Sequence, residues 1–199
     1  SKVWDGRTGK LLAGLKKHTD VGNYAEFSKD GKKIVTAYGS SLMLSRDETA
    51  KIWDATTGEM LVDLKGREYP VLSAKFSPDG KKVVTASQDN TAKIWDAATG
   101  ILLKDLKDHT SFVLSAQFSP DNKIVITTSS DNNAKLWDAS TGKLIADLKG
   151  HQGSVQSAQF SPDGKKVATT SVDNTVKIWD VATGNLIADL KGHNFIVRS

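Results

Sequence analysis

The chain has 199 residues, 38% of them hydrophobic and 25% charged, so it is long enough to bury a core and too apolar for a disordered segment. It has no Cys, which excludes disulfides, thiolate zinc sites and a cysteine nucleophile, and its four His leave little for a histidine-built metal site. The net charge of +4 is mild, and no apolar run is long enough for a membrane-spanning helix.

The chain opens inside a predicted strand, Ser1–Asp5, and continues through a second, Lys10–Leu15. From there the sequence repeats itself. Trp-Asp recurs at Trp4-Asp5, Trp53-Asp54, Trp95-Asp96, Trp137-Asp138 and Trp179-Asp180, which uses all five Trp. The spacing is 49 once and then 42 three times. Phe-Ser-Pro-Asp begins at Phe76, Phe118 and Phe160, with Phe27-Ser28-Lys29-Asp30 as a variant. Asp-Leu-Lys begins at Asp63, Asp105, Asp147 and Asp189. Residues 67–108 and 151–192 align without gaps at 27 identities in 42 positions. Similarity at a fixed period marks a repeat architecture.

Four units follow one another, at about 18–66, 67–108, 109–150 and 151–192, and the next begins at 193–199. The last complete unit shows the pattern. Val155–Ser161 alternates apolar and polar residues, as a strand does. Pro162-Asp163-Gly164 turns the chain, since Pro fixes φ and Gly supplies a positive φ. Lys166–Ser171 is a second strand, Asp173-Asn174 a turn, and Thr175–Trp179 a third strand. Ala182-Thr183-Gly184 turns again into Leu186–Leu190. No amphipathic helix fits into 42 residues filled this way, and four strands in that period match a propeller blade.

These motifs resemble the WD-repeat β-propellers over essentially the whole chain. The resemblance rests on the Trp-Asp ends, the Gly-His starts (Gly150-His151, Gly192-His193) and the Asp-x-Thr-x-Lys-x-Trp-Asp strands. It implies an all-β propeller of four-stranded antiparallel blades, with four complete blades and a partial one at each terminus. Measured on the last blade, about 18 residues are missing between Ser199 and Ser1 for a fifth. Propellers of this family most often carry seven blades. The expectation is therefore a piece of a longer chain, or a ring completed by another copy.

Each unit carries His, Thr, Asp and Trp at fixed offsets. The sets are His109/Thr127/Asp131/Trp137 and His151/Thr169/Asp173/Trp179, with His18/Thr36/Asp47/Trp53 interrupted by seven inserted residues. In the second unit Arg67 stands at the His position beside Thr85, Asp89 and Trp95. The resemblance implies a structural chain in which Trp N–H donates to Thr, Thr to His, and the carboxylate fixes the His tautomer. The same residue types spell a hydrolase triad, but near-copies in four blades provide no unique cleft or oxyanion site. Arg67 cannot accept a hydrogen bond from Thr85, so the second blade is expected to differ locally.

Where blades are this alike, the informative positions are those that vary. By analogy with the family, three positions per blade face one side of the ring. The first set is Val21, Pro70, Phe112, Ser154 and Ile196. The second is Asn23, Leu72, Leu114, Gln156 and Arg198, and the third Arg46, Gln88, Ser130 and Val172. Pro70, Leu72, Phe112 and Leu114 thus fall on adjoining sectors beside Tyr69, as an apolar cluster that either binds a partner or packs on itself. The insertion at Tyr38–Leu44 lies on the same side, with Leu42 and Met43 as further partner-binding candidates. The lysines are expected to spread over edges and the opposite face. Only 7% of residues are aromatic, so no basic and aromatic stripe points to nucleic acid. The sequence therefore reads as a non-catalytic scaffold for a protein or peptide partner, without cofactor, metal or membrane. The alternative is a structural module that assembles with copies of itself.

Overall fold

The computed structural model describes residues 2–15, 22–39, 49–192 and 195. These residues form strands and turns and contain no helix. β1 (Lys2–Trp4) and β2 (Leu11–Gly14) make a hairpin. The first full sheet is β3 (Gly22–Phe27), β4 (Lys33–Tyr38), β5 (Ala50–Asp54) and β6 (Met60–Leu64). The second is β7 (Val71–Phe76), β8 (Lys82–Ser87), β9 (Thr91–Asp96) and β10 (Leu102–Lys107). The third is β11 (Val113–Phe118), β12 (Ile124–Ser129), β13 (Ala134–Asp138) and β14 (Leu144–Leu148). The fourth is β15 (Val155–Phe160), β16 (Lys166–Ser171), β17 (Val176–Asp180) and β18 (Leu186–Leu190). Every sheet is an antiparallel meander, which gives the all-β, propeller-type architecture.

Turn chemistry sets the strand ends. Asn90, Asn132 and Asn174 hold φ of 65–70° in the turn between second and third strands. Asn122 (φ 65°) replaces the turn glycine of the other sheets, such as Gly164 (φ 71°). Both residue types tolerate this left-handed region. The Asp of Trp-Asp caps the third turn. Asp138 Oδ1 accepts from the amides of Ser140 and Thr141 at 3.0 and 2.6 Å, and from both hydroxyls. These bonds, led by the Ser140 hydroxyl, hold the Asp138 carboxyl well below the usual carboxylate range.

Every full sheet also has an irregularity at the same two places. One follows the first residue of the first strand, as at Val113/Ser115, and the other adjoins the Trp, as at Leu136/Trp137. Such bulges increase the local twist, which lets successive sheets splay around an axis.

The core lies between sheets. Ile94 and Leu106 of the second sheet meet Phe118, Val125 and Trp137 of the third. Ile126, Leu136 and Leu148 of the third meet Phe160, Val167 and Trp179 of the fourth. The first sheet meets the second in the same way, through Val35, Ile52 and Leu64 against Phe76, Val83 and Trp95. Val3, Ala13 and Leu15 of the hairpin cover Ile34, Trp53 and Ala55. Interior sheets bury both faces, so their second and third strands read as apolar runs rather than alternating ones.

Candidate functional site

In the third sheet, Asp131 sits on the turn after β12, where its Oδ1 accepts the Asn133 amide at 3.0 Å. That turn aims Oδ2 at His109 Nδ1, 2.7 Å away. His109 Nε2 lies 2.7 Å from Thr127 Oγ1, which accepts Trp137 Nε1–H at 2.8 Å. One proton assignment satisfies every group. Trp137 donates to Thr127, Thr127 to Nε2, and Nδ1–H to the carboxylate. The fourth sheet repeats this with His151, Asp173, Thr169 and Trp179, each contact at 2.8 Å. Burial pulls both histidines below their ordinary value of 6.5, against the opposing pull of Asp131 and Asp173. Burial raises Asp131, but its hydrogen bonds, led by His109, outweigh this and lower it. The hydroxyls of Thr127 and Thr169 belong to fully buried residues, out of reach of any substrate. In the first sheet Trp53 Nε1 donates to Thr36 at 2.8 Å, while His18 and Asp47 lie outside the described residues.

The second sheet builds the same link differently. Arg67 Nη1 donates to Asp89 Oδ1 at 2.6 Å, and Nη2 donates to Thr85 Oγ1 at 3.0 Å. Trp95 donates to the same Thr85 oxygen at 2.9 Å. The guanidinium thus replaces imidazole as a pure donor, with its side chain 1% exposed. Its Nε is buried without a hydrogen-bond partner, so the fit is incomplete.

The lysine before each Ile/Leu-Trp-Asp differs from expectation. Lys51, Lys93, Lys135 and Lys177 are buried, not spread over edges and the opposite face. The strand register sets each directly opposite the Asp of Asp-Leu-Lys. Lys93 Nζ is 2.8 Å from Asp105, Lys135 3.1 Å from Asp147, and Lys177 2.9 Å from Asp189. A buried ammonium needs such a partner. These four of the 27 Lys and Arg are therefore internal rather than part of a surface charge.

The variable positions form an end surface. In three sheets the first-set carbonyl accepts the amide of the third-set neighbourhood. Gln88 N donates to Pro70 O at 3.1 Å, Ser130 N to Phe112 O at 3.0 Å, and Val172 N to Ser154 O at 3.0 Å. These bonds bring the two sets together at one end of each sheet. Tyr69 (51%) and Phe112 (46%) stand exposed there. Leu72, Leu114 and Gln88 are half-buried, and Pro70 is buried. The expected five-residue cluster is thus two exposed rings above three covered residues. Pro70 is covered because Gly39 approaches it. A Cβ on Gly39 would lie 2.5 Å from Pro70 Cα. Asn23 Nδ2 ties the first and second sheets by donating to Gly39 O and Val71 O, at 2.9 and 3.0 Å. Val21, Leu42, Met43, Arg46, Ile196 and Arg198 lie outside the described residues.

One set of positions was missed. The residue before each recurrent Phe is Glu26, Lys75, Gln117 and Gln159. Lys75 Nζ donates to Gln117 Oε1 at 3.2 Å, Gln117 Nε2 to Ala158 O at 2.9 Å, and the Phe76 amide to Glu26 at 3.1 Å. Together they line a cavity of about 360 Å³ where the first strands of successive sheets converge. Burial raises the Glu26 carboxyl, and burial with Glu26 nearby pushes Tyr24 up to about 12. Their variation between repeats was the available signal. Among the described residues no cluster of three or more His, Asp or Glu could hold a metal ion.

A family model described as WD domain, G-beta repeat matches residues 9–54, 58–96, 100–138 and 142–180. No curated protein is matched by the chain. The crystal structure of the computationally designed Ika8 protein is similar to 98% of this chain and 57% of its own, at 34% identity and a TM-score of 0.85. The chain thus spans little more than half the length of that designed protein.

Proposed function

Because the chain belongs to the WD domain, G-beta repeat family, a type of protein-interaction scaffold, we propose that it is a non-catalytic platform that docks a protein or peptide at its Tyr69–Phe112 end. One observation carries this reading. Tyr69 and Phe112 are large aromatic side chains about half exposed on adjoining sheets, where the fourth sheet has Gly153 and Ser154. Exposed aromatics over a rigid frame are the usual anchors of a docking surface. Phe112 O accepts the Ser130 amide at 3.0 Å and Tyr69 O accepts the Ser87 hydroxyl at 3.3 Å, so both rings stand on tethered backbone and little ordering is required on binding. The same reading makes the chain one arc of a larger ring, which its 57% coverage of the designed protein supports.

The test is selection of binders from a displayed peptide library on the wild-type chain. Peptides so selected should lose binding to Phe112→Asp and weaken on Tyr69→Ala, with both variants still folded. Peptides that bind all three chains equally would overturn the assignment.

A further inference from the structure

Two lysines depart from the repeat, and both line the same cavity. The turn after the first strand carries Pro78, Pro120 or Pro162 in three sheets, where the first sheet has Lys29. The residue before the recurrent Phe is Lys75 in the second sheet, where the others have Glu26, Gln117 and Gln159. Lys29 and Lys75 meet on the wall of the cavity of about 360 Å³ where the first strands converge. That is the end of these strands opposite to Tyr69 and Phe112.

The turns explain why the space stays open here. Between the second and third sheets the Asp79 amide donates to Asn122 Oδ1 at 3.2 Å. Between the third and fourth, Pro120 lies against Gly164, where an added Cβ would be 3.5 Å from the proline ring. Between the first and second, Lys29 stands in for that proline and Gly80 for Asn122. A Cβ on Gly80 would meet nothing within 4 Å among the described residues. A second cavity of about 370 Å³ fills this gap, with Lys29 and Lys33 on its wall. Lys29 and Pro78 line both cavities, so the two adjoin.

The charge of these lysines is not spent inside the chain. Lys75 Nζ donates to a neutral oxygen, Gln117 Oε1, at 3.2 Å and stands 5.8 Å from the centre of the Tyr24 ring. Gln117 is itself held by Ala158 O at 2.9 Å, so the ammonium is positioned while it keeps donors for a further acceptor. Among the described residues neither Lys29 nor Lys75 has a carboxylate within 4 Å, unlike Lys93 or Lys177. Three carboxylates lie near and oppose an anion. Glu26 accepts the Phe76 amide at 3.1 Å. Asp30 and Asp79 each accept the Ser hydroxyl of their own turn at 2.6 Å and are offset by Lys32 and Lys81 beside them.

We propose that this cavity is an oxyanion site of the phosphate class, with Lys29 and Lys75 as its cations. An ammonium on a flexible stem binds such an anion as a point charge, and two converging on one concave site add their attraction. The adjoining gap leaves room beyond the anion, so free phosphate and a phosphoryl group on a peptide share the chemistry that fits. The site lies apart from the Tyr69–Phe112 surface and does not depend on it.

The test is a titration of the chain with inorganic phosphate, followed by amide chemical shifts at an ionic strength held constant with chloride. The expected result is saturable shifts centred on residues 26–33 and 75–80. Lys29→Pro and Lys75→Gln install residues that other sheets already carry at these places, so both variants should fold. Each should weaken phosphate by about fivefold or more, while Glu26→Gln should strengthen it. Phe112→Asp should leave it unchanged, which separates this site from the docking surface. A short phosphoserine peptide titrated in parallel assigns the source: tighter binding than inorganic phosphate means a phosphoryl group on a chain, and equal binding means the free anion. Shifts that never saturate, or an affinity that survives both Lys29→Pro and Lys75→Gln, would overturn the proposal.

Discussion

Arg67 donates from Nη1 to both carboxylate oxygens of Asp89, at 2.6 and 2.5 Å, in the place where the next two sheets set a histidine against an aspartate. The guanidinium is almost fully buried, and burial lowers its pKa against the pull of Asp89. One position thus accepts a charged guanidinium or a neutral imidazole, because the two ends of the link, Thr85 and Asp89 or their counterparts, stay fixed by the sheet. The variant Arg67→His should rebuild the link of the third sheet and leave thermal stability near neutral pH within about 1 kcal/mol of wild type. Arg67→Met should cost roughly 3–5 kcal/mol, because it strands a carboxylate that is mostly buried. Thermal unfolding of the two variants separates these outcomes.

Acid should weaken the third and fourth sheets before the second. His109 and His151 have folded values below the ordinary 6.5, chiefly through burial. A depressed histidine binds its proton more readily when unfolded, so stability rises with pH up to about 6.5 and falls as pH drops below it. Asp131 and Asp173 are also lowered, so their contribution is lost only on further acidification, below the ordinary 3.8. Hydrogen exchange at pH 7.5 and pH 5.5 should show protection lost in β11–β18 and retained in β7–β10. Uniform loss across the sheets would contradict the assignment.

Breaking the link should damage stability and nothing chemical. Trp137→Phe removes the donor to Thr127, and Asp131→Ala strands His109 Nδ1. Each is expected to cost roughly 1–3 kcal/mol. Denaturant unfolding measures the loss, and unchanged midpoints would refute a structural role.

Gly39→Ala should destabilise the first two sheets. Gly39 has φ of 154°, outside the range that side chains favour, and an added Cβ would strike the backbone of Pro70. The neighbour is backbone rather than a movable side-chain tip, so the expected cost is roughly 1–3 kcal/mol. A thermal shift readout suffices, and binding at Tyr69 should weaken with it.

Much of the fold was legible because spacing and turn chemistry act locally. Pro162-Asp163-Gly164 and Asp173-Asn174 fix where strands end whatever surrounds them, and a 42-residue period repeats the statement. What required structure was contact across strands or sheets. Lys93 looks like a surface charge until the register sets it opposite Asp105. Pro70 looks like part of an exposed cluster until Gly39, from the neighbouring sheet, is found against it. Arg67 could be excluded as an acceptor from its chemistry, but its reach to both Asp89 and Thr85 depends on a backbone path that the residue types do not specify. The Glu26, Lys75, Gln117 and Gln159 series was visible as variation, yet its convergence depends on four first strands lying side by side.

The most direct test of the scaffold account is a hydrogen-exchange footprint of the chain bound to a peptide selected on it. The account expects added protection concentrated at residues 68–72 and 110–114, around Tyr69 and Phe112. Protection confined to the turns at 77–82 and 119–124, at the opposite ends of the first strands, would contradict it.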